Sequence, residues 1–241
     1  MSALVDTSLN GSSNIRGHWK YDEASGTTLT DSYGANNLTV NSGMVGNAGI
    51  WGNALTSDGT NYAYKTGPTS ALNPSYSQDF AWSFWINAPN TSGSDWNFIR
   101  NWNTSGNDAG YIWRLDGGSG GGGALFWGWN GGVGVNRAAG INFSGTFLDN
   151  TWHHVVIQGT GIGPGQTVYT YVDTVSATTS LTGGSNMAYG GSQQFRTNSF
   201  ITSGGKTDDL VFFNRQLTTG EIAELAATPP SNVFIPKVMM F

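Results

Sequence analysis

Glu23, Glu221 and Glu224 are the only three glutamates in this 241-residue chain, and their placement limits its acid–base chemistry. A retaining glycosidase needs two carboxyl groups about 5–5.5 Å apart across the scissile bond. On a β-strand that means acids at alternate positions. Glu221 and Glu224 fall instead in a helical stretch near the end, and Glu23 in a turn near the start. Asp95, Asp108 and Asp116 stand alone in expected loops. No strand presents an acid pair, so glycoside hydrolysis is not expected. His153 and His154 are adjacent and would face opposite sides of a strand. With no third histidine near them, a His-ligated metal is not expected either. Cysteine is absent, which excludes thiolate ligands and a Cys nucleophile. No strand-to-helix nucleophile elbow accompanies the histidines. The chain reads as a non-enzyme.

Binding chemistry is better represented. Aromatic rings offer apolar faces with polar edges, suited to sugar rings, and neighbouring amides can bond hydroxyls. The chain has ten Trp and nine Tyr, and two segments set Trp among amides and glycines. These are Asp95-Trp-Asn-Phe with Asn101-Trp-Asn103, and Phe126-Trp-Gly-Trp-Asn130. Trp96, Trp102, Trp127, Trp129 and Asn130 are therefore the candidate carbohydrate contacts, with packing beneath loops as the alternative. Trp127 and Trp129 share a face. Trp19, Trp82 and Trp152 lie on alternating strands and are assigned to the core.

The elements that would carry these residues are β-strands. Strand-like runs punctuated by Gly, Asn and Ser recur along the chain, the pattern of an all-β sandwich. They lie near 16–21, 63–65, 80–88, 97–101, 111–115, 124–129, 151–159, 168–172 and 208–214. Phe80, Trp82, Phe84 and Ile86 alternate on one face; Trp152, His154 and Val156 oppose His153, Val155 and Ile157. One helix is signalled by the capping box Thr218-Thr-Gly-Glu221 and the apolar stripe Ile222, Leu225, Ala226. Pro229-Pro230 stops it. Gly117–Gly123 reads as a flexible hairpin loop, having neither the helix nor the Lys of a phosphate loop.

Composition narrows the partners. Charged residues are 10% of the chain, against roughly a quarter in an average domain. No apolar run approaches the ~20 residues of a spanning helix, so no membrane insertion is expected. The net charge is −5 and the ten basic residues are scattered from Arg16 to Lys237, which argues against nucleic acid. The start, Met1-Ser-Ala-Leu-Val-Asp, shows no signal peptide. After a domain spanning 1–228 comes an apolar tail, 229–241, with seven large apolar residues among its last eleven. Such a tail should be docked, with Phe234, Ile235, Val238 and Phe241 as assembly anchors.

Three segments resemble the laminin-G-like jelly roll of the concanavalin-A-like lectin/glucanase superfamily. They are Gly17-His-Trp-Lys-Tyr-Asp-Glu-Ala-Ser-Gly26 with Asp31-Ser-Tyr-Gly34; Thr151-Trp-His-His-Val-Val156 with Val168–Asp173; and Thr207-Asp-Asp-Leu-Val-Phe-Phe-Asn-Arg-Gln-Leu217 with Glu221-Ile222. The resemblance implies an all-β, two-sheet jelly-roll sandwich with one short C-terminal helix, and makes His154 a core residue with a satisfied imidazole. It also implies a structural Ca²⁺, with Asp208 as the best-matching ligand and Asp22, Glu23 and Asp58 contributing oxygens; capped turns are the alternative use of these acids. Thr174 stands where the family places Gly in a hairpin turn, which leaves the turn type open.

These observations point to a non-catalytic structural or decoration protein of a virion or surface assembly, with a glycan-adhesion role. It would self-associate or dock on a scaffold, at a virion or extracellular surface. The alternative is a secreted or cell-surface carbohydrate-binding, lectin-like module.

Overall fold

The computed structural model describes residues 14–65, 67, 69–89, 96–103, 110–116, 123–129, 137–142, 149–163, 165–180, 193–199 and 204–227. Asp95, Asp108, Asn130 and the tail anchors Phe234, Ile235, Val238 and Phe241 lie outside these residues, as does most of the glycine-rich loop. Side chains are described for fewer positions than the backbone.

Among the described residues the nine expected runs are strands, and seven further strands lie between them, four of two to four residues and three of six or seven. The first six are β1 (Ile15–Trp19), β2 (Thr28–Leu29), β3 (Leu38–Thr39), β4 (Asn47–Ala48), β5 (Asn53–Thr56) and β6 (Ala63–Lys65). Longer strands follow: β7 (Phe80–Asn87), β8 (Trp96–Asn103), β9 (Gly110–Asp116), β10 (Gly123–Trp129) and β11 (Arg137–Asn142). The last five are β12 (Trp152–Gly159), β13 (Thr167–Val172), β14 (Val175–Ser180), β15 (Gln193–Ser199) and β16 (Lys206–Phe213). Helix α1 (Thr219–Ala226) closes the described chain with both halves of the Thr218/Glu221 capping box in place.

Two antiparallel sheets result, as a jelly roll requires. The first runs β14-β13-β12-β7-β16-β5-β4, with β1 also on β16; the second runs β11-β10-β9-β8-β15-β6-β3-β2. Between them lies the main core, whose centre is a four-ring stack. Phe195 of the second sheet inserts between Trp19 and Trp82 of the first, 5.7 Å from each, and Trp82 lies 4.0 Å from Phe212. Phe80, Trp82, Phe84 and Ile86 all belong to this core, as their alternation requires. A smaller core forms where α1 covers the back of the first sheet, packing Ile222 and Leu225 on Ala81, Val156, Val211 and Phe213. Buried aromatics are each worth about 3–5 kcal/mol against truncation to Ala.

Two expectations are corrected here. Trp152, at the strand's end, is only half-buried and is not a core residue. His154 is buried, but on the side of Val156 and the smaller core, while His153 shares the alternation of Val155 and Ile157. Its imidazole is half satisfied: Nε2 meets Ser83 Oγ at 2.9 Å, and Nδ1 has no hydrogen-bond partner. Burial lowers its pKa to about 4, so it is neutral near pH 7. The turn at Asp173-Thr174 places both residues at positive φ (48° and 73°), the requirement of a two-residue type I′ hairpin. Thr174 holds the backbone that Gly would adopt freely.

Candidate functional site

Asp208 and Asp209 sit where β16 exchanges one neighbour for another. Lys206 and Thr207 pair with β5, whereas Leu210 to Phe213 pair with β1. The β16–β7 register shifts between Asp208 and Val211, and Asp209 adopts φ 51°. The bulge sends the two carboxylates to different partners. Asp209 Oδ1 meets His18 Nε2 of β1 at 2.7 Å, both groups buried. Asp208 Oδ2 accepts the backbone N–H groups of Ile50 (2.9 Å) and Trp51 (3.2 Å) in the β4–β5 turn. Burial lifts the Asp208 carboxyl to about 7 against the opposing pull of those N–H groups, with the Asp209 charge adding to the rise.

The four acids proposed for calcium are not brought to one place. Among the described residues no three of His, Cys, Asp and Glu come together as a metal-ligand group. Asp58 uses both oxygens in its own turn, accepting from Thr60 N, Asn61 N and Asn61 Nδ2. It does not join the others. Asp22 accepts from Asn53 N at 3.2 Å and is solvent-exposed. Glu23 Oε1 accepts from Thr30 N, but its Oε2, like Asp208 Oδ1, is buried with no hydrogen-bond partner. Both carboxylates lie near enough to act on the buried Tyr21 phenol, whose pKa is raised first by burial and then by these charges. Glu23 and Asp208 thus each keep one buried oxygen without a hydrogen-bond partner, whereas Asp58 is fully occupied by its turn.

Around His153 the side chains form a closed polar cluster. Its Nδ1 lies 2.5 Å from Asp173 Oδ2, and its Nε2 lies 3.1 Å from Asp149 Oδ1 and 3.0 Å from Thr151 Oγ1. The Thr151 hydroxyl donates to Asp149 Oδ1 at 2.7 Å. The bond to Asp173 raises the His153 pKa, with burial opposing and Asp149 assisting. An imidazole held between two carboxylates stays protonated to higher pH, which makes it a poor general base. The Thr–His–Asp sequence of contacts is a clamp on the β12–β13 hairpin.

Strand register sorts the candidate tryptophans. Trp102 of β8 stands opposite Gly110 of β9, which stands opposite Trp129 of β10. One row along, Arg100 opposes Ile112, which opposes Trp127. Trp102, Trp127 and Trp129 thus occupy register positions of the same face as Arg100. A bulge between Asn97 and Ile99 puts Trp96 opposite Leu115, in the alternate row with the buried Trp113 and Tyr111. Register therefore separates Trp96 from the other three.

The same face continues across β15 and β6 with residues the sequence reading did not select. Arg196 of β15 pairs directly with Arg100 on one side and Tyr64 on the other. Its guanidinium lies 4.0 Å over the Tyr62 ring, and the Tyr62 and Tyr64 rings are 5.8 Å apart, edge to face. All four side chains are partly exposed. The face thus presents aromatic rings beside two cations. β15 escaped notice because Gln193–Ser199 contains one large apolar residue, Phe195, and shows no hydrophobic alternation.

A search of the curated proteins found no match. Among solved structures the chain is similar to domain 4 of the extracellular arabinanase AbnA of Geobacillus stearothermophilus, in complex with arabinotriose. The identity is 14% and the TM-score 0.58, over 89% of this chain and 98% of that one. The binding domain of Paraclostridial Mosquitocidal Protein 1 is similar at 16% identity and TM-score 0.58, over 88% of this chain and 52% of that one. Trypanosoma rangeli sialidase in complex with sialic acid is similar at 15% identity and TM-score 0.57, over 89% of this chain but 33% of that one. The chain thus spans nearly all of the arabinanase domain, about half of the mosquitocidal binding domain and a third of the sialidase. At these identities the likeness is one of fold, a lectin-like β-sandwich. The model of the concanavalin A-like lectin/glucanases superfamily matches residues 58–223, more than half of the chain, and the protein belongs to that family.

Proposed function

We propose that this chain is a non-catalytic carbohydrate-binding module whose ligand lies on the outer face of the second sheet. The observation that carries this reading is the register of that face. Tyr62, Tyr64, Arg196 and Arg100 form its described part, and the strand pairing extends it to the positions of Trp102, Trp127 and Trp129. Rings supply stacking surface and cations supply hydrogen-bond donors, which is the chemistry of sugar recognition. The arabinanase domain, similar in fold and nearly equal in extent, was solved with arabinotriose, which supports the same class of ligand. A catalytic role is disfavoured because Glu221 is held by Arg215 at 2.9 and 2.5 Å, and the His153 imidazole is held between acids.

In this reading a Ca²⁺ ion would be structural, held by Asp208 and Glu23 through their partnerless buried oxygens. It would supply positive charge to the buried Asp208 carboxylate and the half-buried Glu23 carboxylate. The setting would be a virion or extracellular surface, with adhesion or decoration as the task and residues 229–241 as the docking segment. That setting rests on the low charge of the chain and its apolar end. Deleting residues 231–241 should then leave a folded domain of lower oligomeric mass, and an unchanged mass would remove the tail from the reading.

The test of the function is affinity electrophoresis through a panel of polysaccharides, including arabinan, galactan, β-glucan and polygalacturonate, with a reducing-end assay on the same mixtures. The reading requires retardation by at least one polymer without release of reducing ends. Absence of retardation throughout the panel, or release of reducing sugar, would contradict it.

A further inference from the structure

Arg100 and Arg196 stand directly opposite one another on neighbouring strands, at the middle of the face described above. Directly opposed like charges destabilise a sheet. The core behind them is closed by Phe98, Ile99, Phe195 and Thr197, so both guanidinium groups belong to the outer face. The chain is short of cations, with ten basic residues in 241 and a net charge of −5. Two of the ten are nonetheless set side by side.

The neighbours hold them in place for a ligand. Arg196 Nε donates to Gln194 Oε1 at 2.5 Å, and its guanidinium carbon lies over Tyr62, 4.0 Å from the ring centroid. These two contacts orient the guanidinium fork on the outer face. Tyr62 and Tyr64 add ring surface beside the charges. Burial, followed by the Arg196 charge, lowers the Arg100 pKa to about 10, so the pair feels its own repulsion. A bound anion relieves that repulsion.

Resting on the carbohydrate-binding reading, we infer that Arg100 and Arg196, framed by Tyr62 and Tyr64, bind the carboxylate of an acidic sugar residue. A planar carboxylate matches the guanidinium fork in a bidentate manner, and the sugar ring it belongs to would lie on the tyrosine side.

The experiment compares the full chain with the double variant Arg100→Gln/Arg196→Gln and the single variant Arg196→Lys. The probes are polygalacturonate, its fully methyl-esterified form, and sialyllactose against lactose, each by isothermal titration. The expected result is binding of the uronate or the sialoside, weakened by roughly tenfold or more on methyl esterification or on loss of the sialic acid. The double variant should lose the same factor or more, and Arg196→Lys an intermediate one because it keeps charge without the fork. The polymer that binds identifies the type of acid sugar. Because the double variant removes a like-charge pair, its melting temperature should not fall, which separates lost binding from lost fold. Equal binding of ester and acid, or equal affinity in the double variant, overturns the inference. Binding of neutral glycans alone also overturns it while leaving the carbohydrate-binding reading standing, and no binding to any glycan overturns both.

Discussion

His18 of β1 and Asp209 of β16 meet at 2.7 Å, both buried, beside the bulge where β16 leaves β5 for β1. The pair fastens β1 to the sheet across the position at which the ladder breaks. His18 N also donates to Asp31 Oδ1 at 2.9 Å, so the opening strand and its acidic turn are held by the same residue. Removing one partner of a buried polar pair leaves the other uncompensated, at about 3–5 kcal/mol. Asp209→Ala should therefore destabilise the domain by about that amount in urea unfolding. A loss below about 1 kcal/mol, the range of a surface pair, would show that the contact does not anchor β1.

Thr174 is a β-branched residue at φ 73° in a two-residue turn. The left-handed region costs a non-glycine residue about 1–2 kcal/mol. Gly at this position relieves that strain, less the entropy it adds to the unfolded chain. Thr174→Gly should raise stability by about 0.5–1 kcal/mol in denaturant melts. A destabilised variant would mean that the Thr174 side chain holds the hairpin in some other way.

The cluster at His153 makes a signed prediction for pH. The His153 pKa is raised above its ordinary 6.5, so its contribution to stability is complete below that pH and is lost as pH rises through the raised value. For Asp173 burial acts upward, but the bonds from His153 and the His154 N–H bring the net shift below its ordinary 3.8. Asp149 falls to about 2, first through the Thr151 hydroxyl. Their contributions are present above 3.8 and lost as pH falls through the lowered values. The cluster is therefore most stabilising between about pH 4 and 6.5. His153→Gln should cost about 0.5–1 kcal/mol at pH 5.5 and less at pH 9. An equal cost at the two pH values would remove the ionic part of the clamp.

Calcium is tested through stability. An ion bound a hundredfold above its Kd stabilises the fold by about 2.7 kcal/mol. Chelator should then lower the melting temperature of the wild type and leave Asp208→Asn unmoved, because one of the two partnerless oxygens is lost. Identical wild-type melts with and without chelator would remove the ion from the account.

Much of this architecture was legible in the sequence, and the exceptions have physical causes. The strands around Phe80, Trp152 and Val168 announce themselves by period-two alternation, and α1 by its capping box. β2, β3, β4 and β5 are too short to show a period. β15 is central in its sheet yet polar, because its outward positions carry Gln194 and Arg196 and only Phe195 reaches into the core stack. The Arg100–Arg196 pair was therefore invisible: the two residues lie in distant segments, and no local pattern predicts that β8 and β15 are neighbours. Local composition marks the candidate tryptophans, and only register separates Trp96 from the row of Trp102, Trp127 and Trp129. The acids were legible as turn residues but not as separate ones; Asp58 is fully occupied by the loop it caps.

The claim on which the rest depends is that the outer face of the second sheet holds the ligand. Hydroxyl-radical footprinting read by mass spectrometry, with and without a saturating glycan identified in the electrophoresis panel, tests it directly. Tyr62 and Tyr64 are partly exposed and reactive, so their labelling reports on that face. The account predicts protection of both tyrosines, with the half-buried Trp51 and Trp152 on other parts of the surface labelled as before. Protection confined to the β4–β5 turn or the β12–β13 hairpin, with Tyr62 and Tyr64 unchanged, would contradict it.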